Sequence, residues 1–115
     1  MELLDAWLAG EVDVRQAVVT LPQARRTYRI SVPTDAARER LFAAAKADPT
    51  IVAPHWSRVW ASGMALADVV LARRAELRGR TVLELGSGLG VTATAALEAG
   101  AHVHTMDCSP LALAL

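Results

Sequence analysis

The fold is legible in Thr81-Val82-Leu83-Glu84-Leu85-Gly86-Ser87-Gly88-Leu89-Gly90. Its first five residues are a short, mostly apolar run bounded by a turn signal, the pattern of a strand. Three glycines at alternate positions follow, and a turn that tight calls for the positive φ that glycine adopts freely. Val91 to Ala99 is alanine-rich and reads as a helix stopped by Gly100. His102-Val103-His104-Thr105-Met106 then reads as a second strand that ends at Asp107. Strand, crossover helix and strand make the βαβ unit of a parallel α/β sheet.

In such sheets ligands bind beyond the carboxyl ends of the strands. Gly86, Gly88 and Gly90 stand there, and backbone N–H groups at the helix start are expected to face the ligand. An acid about twenty residues further on, at the end of the second strand, suits the two hydroxyls of a ribose, and Asp107 has that place. The glycine spacing narrows the ligand. A dinucleotide fingerprint is G-x-G-x-x-G, whereas this chain has G-x-G-x-G with Val91 where the third glycine would stand. Glu84 at the strand end would repel a pyrophosphate and attract a cationic amino group. S-adenosyl-L-methionine has that group and no phosphate.

The run Glu84 to Gly90 resembles the first motif of class I S-adenosylmethionine-dependent methyltransferases. Together with Trp60-Ala61-Ser62-Gly63-Met64-Ala65-Leu66-Ala67 and with Gly100 to Pro110, it is similar to the small protein-lysine methyltransferases and their nicotinamide-methyltransferase-like relatives. The resemblance implies a Rossmann-like fold of which only the first βαβ unit is present. It also implies that Glu84, Gly86, Ser87, Gly88 and Gly90 line the methionine part of the cofactor, that Asp107 binds its ribose, and that Trp60 borders the cofactor or the substrate entrance. The implied methyl acceptor is a protein lysine or a small amine. No catalytic base is nominated, since the substrate motifs of that family stand further along the chain than Leu115.

Outward from this segment the reading is plainer. Ser109 and Pro110 open a helix with only Leu111 to Leu115 to fill it, so the chain is expected to be the N-terminal part of a longer domain. On the other side, a helix capped by Ser62 is expected to run to about Leu77, with Met64, Ala67, Val70 and Leu71 inward and Gly79 as its stop. Trp56 and Trp60 read first as packing aromatics, and His55 as structural. His102 and His104 share a strand face but lack a third metal ligand nearby.

Residues 1–53 are expected to form a mostly helical extension with one short strand, and residues 54–115 the start of the cofactor domain. Leu3, Leu4, Trp7 and Leu8 suggest one short helix, and Val14, Ala17, Val18 and Leu21 a second between Asp13 and Pro22. Thr27 to Val32 alternates like a strand stopping at Pro33. Asp35 to Ala47, capped by Thr34, reads as a helix with Leu41, Phe42 and Ala45 along one side.

Composition excludes several classes. Hydrophobic residues make up 53% of the 115, and 12 basic residues balance 12 acidic ones, which argues against disorder and against nucleic-acid binding. One cysteine, Cys108, excludes a disulfide framework, and early acids with no long apolar run argue against a leader or membrane span, so a cytoplasmic protein is expected. Every lysine and arginine lies in residues 1–80, with Arg25, Arg26 and Arg29 reading as a solvated face. The last 35 residues read as core covered on both faces. Two other functions fit less well: a non-enzymatic docking module using an open strand edge, and a fragment of an NAD-dependent oxidoreductase.

Overall fold

The computed structural model describes residues 12–115; the helix expected around Leu3 to Leu8 lies outside them. The first element is a strand, β1 (Val14–Thr20), and it pairs antiparallel with β2 (Thr27–Pro33), so that Ala17 faces Ile30 and Val19 faces Tyr28. The helix expected between Asp13 and Pro22 is therefore replaced by a strand. Valine and threonine dominate the stretch, and their branched Cβ atoms favour a pleated backbone over a helix. Alternation also separates the faces, with Val19 6% exposed and Val18 68% exposed. Residues 12–53 thus hold two strands and one helix.

That helix, α1 (Asp35–Ala47), follows its expected bounds. The Thr34 hydroxyl accepts from the Ala37 N–H at 3.2 Å, and Asp48 ends the helix in extended conformation. A short 3-10 turn (His55–Ser57) leads to α2 (Ala61–Ala72). Here Trp60, not Ser62, is the capping residue, and no side chain caps the helix. Nor does α2 run unbroken to Leu77: it ends at Arg73, and a single turn, α3 (Arg74–Leu77), follows. Arg73 is held there by a fork of two bonds to Glu76, of 3.2 and 2.6 Å. Gly79, at φ 73°, turns the chain into β3.

The last third is β3 (Thr81–Leu85), α4 (Val91–Glu98), β4 (His102–Met106) and α5 (Pro110–Ala114). β3 and β4 pair in parallel, Thr81 with His102 through Leu85 with Met106. Alanine makes this arrangement possible: Ala93, Ala95 and Ala96 are buried on α4, which packs against both α2 and β4. The Thr92 hydroxyl donates to the Gly63 carbonyl at 3.1 Å across the α2–α4 contact.

One core joins these parts. Val19, Leu21, Ile30 and Val32 of the hairpin meet Ala67 and Leu71 of α2 and Val91 and Ala95 of α4. The turn of the hairpin is fastened by Asp68, a buried carboxylate that accepts from the N–H groups of Gln23 and Ala24 at 3.2 and 2.9 Å. Beside the same turn, the Tyr28 hydroxyl donates to Glu98, which also pairs with Arg26 at 3.0 Å. The two-stranded parallel sheet is covered by α4 on one face only among the described residues. Leu83, Leu85 and Met106 are exposed on the other, contrary to the expectation of cover on both faces.

Candidate functional site

A cleft of about 700 Å3 opens at the carboxyl ends of β3 and β4. One wall is the glycine loop from Glu84 to Val91; the other is the segment from Ile51 to Gly63, which carries His55, Trp56 and Trp60; Asp107 to Leu111 closes the end. The cleft thus brings together every residue singled out from the sequence: Glu84, Gly86, Ser87, Gly88, Gly90, Asp107 and Trp60.

The loop is shaped by backbone that only glycine adopts without strain. Gly88 and Gly90 have φ of 53° and 80°, and Gly90 is the residue from which α4 starts. An added Cβ at Gly88 would still stand 3.8 Å from the Trp56 carbonyl, so conformation and not space requires glycine there. Three loop N–H groups are already engaged inside the protein. Ser87 donates to the Met106 carbonyl at 3.0 Å, Gly88 to Asp107 Oδ2 at 2.8 Å, and Gly90 to the Ser87 carbonyl at 2.9 Å. These three bonds hold the turn and grip β4, and the N–H groups of Val91 and Thr92 at the start of α4 are not among them.

Asp107 ties the site together. Besides Gly88, it accepts from the Ser109 N–H at 2.9 Å through Oδ1. An ionised carboxylate has about four acceptor positions, so each oxygen keeps one for a further donor. Glu84 is different: its Oε1 is buried and has no hydrogen-bond partner among the described residues, and burial raises its pKa above the ordinary carboxylate value. A buried acceptor left without a donor costs free energy, and a ligand's ammonium group would remove that cost.

The facing wall is built from aromatics. The Trp60 indole N–H donates to the His55 carbonyl at 2.8 Å, and the His55 ring stands edge-on to Trp60 and to Phe42. The Ser57 hydroxyl donates to the Pro54 carbonyl at 2.6 Å and fixes the turn beneath them. Arg58, which sequence reasoning passed over, lies with its guanidinium carbon 4.3 Å from the Trp60 ring centroid. Its neighbours Trp56 and Trp60 were the only signal. His102 and His104 lie away from this cleft on β4, and among the described residues no three His, Cys, Asp or Glu side chains converge on a metal-sized space.

The cleft at the carboxyl ends of the parallel strands thus holds the glycine loop and the strand-end carboxylate on which the resemblance to class I methyltransferases rests. Similar proteins narrow it. A 60-residue stretch, 51% of this chain, is 43% identical to the electron transfer flavoprotein beta subunit lysine methyltransferase of Mus musculus, of which it spans 24%. The protein of that name from Homo sapiens is 42% identical over 60 residues, 23% of its length. Methyltransferase-like protein 22 of Mus musculus is 42% identical over 52 residues, 45% of this chain and 12% of that protein. No family model matches the chain. The chain therefore resembles the protein-lysine methyltransferases over about half its residues, and the matched stretch spans about a quarter or less of the curated relatives.

Proposed function

We propose that this chain carries the cofactor-binding part of an S-adenosylmethionine-dependent methyltransferase that acts on a protein lysine or a small amine. The observation that carries the reading is the buried, partnerless Oε1 of Glu84 in a glycine-lined cleft. When bound there, S-adenosylmethionine supplies an electrophilic methyl group on a sulfonium. Glu84 holds the cofactor's ammonium group by charge-assisted hydrogen bonds. Asp107 offers its remaining lone pairs to the ribose hydroxyls while keeping its grip on Gly88 and Ser109. Gly86, Ser87, Gly88 and Gly90 give close approach to the main chain, and Trp60 walls the side from which the acceptor nitrogen enters. Glu84 and Asp107 bind and orient; neither is assigned the acceptor's proton. The lysine substrate is supported by the name of the electron transfer flavoprotein beta subunit lysine methyltransferases alone.

Calorimetric titration tests this. S-adenosylmethionine is expected to bind and NAD is not, and Glu84→Gln is expected to weaken binding roughly ten- to a hundredfold, the ~1.5–3 kcal/mol of hydrogen bonding to a charged group. Equal affinity of Glu84→Gln and the parent chain would overturn the role given to Glu84. The exposed Leu83, Leu85 and Met106 support a second reading, a non-enzymatic docking module. It predicts that neither adenosine ligand binds.

A further inference from the structure

Beside the cleft lies a second hollow of about 300 Å3, between the hairpin, the start of α1 and the segment Ser57–Met64. Arg58 lines both hollows, so the two meet at the Arg58–Trp60 stack. Arg15 and Arg38 line the second one with it, and Asp35 is the single acid there. The strand pleat explains Arg15: it shares a face with Ala17 and Val19, at the end of β1 where that face leaves the core. Among the described residues Arg26, Arg40 and Arg73 are ion-paired, whereas Arg15, Arg38 and Arg58 are not. Three arginines, none ion-paired among the described residues, thus line one hollow with a single acid, over a floor that includes Val19, Val32, Val59 and Met64; the guanidinium groups of Arg38 and Arg58 also lie against the Phe42 and Trp60 rings.

We propose that this groove takes an acidic segment of the protein that carries the methyl-accepting nitrogen, and leads that nitrogen past Arg58 and Trp60 into the cleft. The inference rests on the methyltransferase reading and adds a substrate class to it. Guanidinium forks match carboxylates in charge and geometry, and clustered charge of one sign speeds encounter with a partner of the other. The aliphatic floor, the small size of the groove and the chain's balanced charge favour a peptide over a nucleic acid, which would need a longer basic track with stacking platforms.

The test is fluorescence anisotropy with the full chain and short labelled peptides, one with a central lysine flanked by glutamates, the other with the same lysine flanked by serines. The glutamate peptide is expected to bind more tightly, with an advantage that shrinks as salt rises from about 0.05 to about 0.5 M. Arg15→Glu and Arg38→Glu are each expected to weaken it roughly tenfold or more. Arg74→Glu, an equal charge change on α3 outside the groove, is expected to leave it unchanged. Equal binding of the serine peptide, an equal loss with Arg74→Glu, or tighter binding of a single-stranded RNA would each overturn the proposal. Calorimetry with S-adenosylmethionine on the parent chain separates the two readings. Cofactor binding without a preference for the acidic peptide sinks the groove alone, and acidic-peptide binding without cofactor binding sinks the methyltransferase reading that gives the peptide its role.

Discussion

Glu84 carries a carboxylate into a place where the protein gives its Oε1 no donor. Burial alone raises its pKa, so the native state binds that proton more tightly than the unfolded chain does. Its contribution to stability is complete below the ordinary glutamate pKa of 4.5 and is lost as pH rises through the interval up to the raised native value. Urea unfolding at acidic and neutral pH should show Glu84→Gln gaining on the parent chain across that interval; a parent chain that stays ahead at neutral pH would mean Glu84 has a partner in solution. Asp68 is the opposite case, a buried carboxylate whose oxygens both accept backbone N–H groups. Asp68→Ala should cost about 2–3 kcal/mol by the same measurement, because it leaves the Gln23 and Ala24 donors without their charged acceptor, and a loss below about 0.5 kcal/mol would refute the anchor. The two residues also differ in how readable they were. Glu84, the glycines and Asp107 stand in one short run of sequence whose spacing carries the chemistry. Asp68 finds its partners 44 and 45 residues away, and no local pattern announces that meeting.

Among the elements, α1, β2, β3, α4 and β4 follow from caps, glycine stops and alternation, all of them local signals. β1 does not. Val14, Ala17, Val18 and Leu21 satisfy a helical period as well as Ala17, Val19 and Leu21 satisfy an alternating one, and what decides between them is the partner strand that Thr27–Pro33 supplies. The interruption at Arg73 escapes for a related reason, since every residue there tolerates a helix and the break shows only in the backbone. The elements also differ in what they support. Leu21, fully buried just past the end of β1, fastens the hairpin to α2 and α4, whereas Leu85 at the end of β3 is 71% exposed. Leu21→Ala is expected to cost about 2–5 kcal/mol in urea unfolding. Leu85→Lys should change stability by no more than about 0.5 kcal/mol while lowering concentration-dependent light scattering, because it places a charge on an uncovered strand face. Unchanged scattering would show that this face does not drive association.

At the scale of the whole molecule, the balanced charge conceals an uneven distribution: the last 35 residues hold Glu84, Glu98 and Asp107 and no lysine or arginine, while residues 1–80 supply every lysine and arginine. The cleft is built across that division. One wall comes from the glycine loop, whose one charged residue is Glu84, and the other from the aromatic segment beside Arg58, and only the fold brings them together. A ligand that fills the cleft therefore touches parts that join the hairpin core on one side and the parallel strands on the other, and its binding energy should be felt by the whole cooperative unit. With ligand at about a hundred times its dissociation constant, linkage gives about 2.7 kcal/mol, and for a domain near this size each kcal/mol raises Tm by about 4–8 °C. S-adenosylmethionine should thus raise Tm by roughly 10 °C or more in a thermal melt, NAD should not, and Glu84→Gln should need correspondingly more ligand for the same shift. Hydrogen exchange then locates the effect: protection is expected both in residues 84–90 and in residues 57–63, and protection confined to the glycine loop would show that the aromatic wall does not close on the ligand.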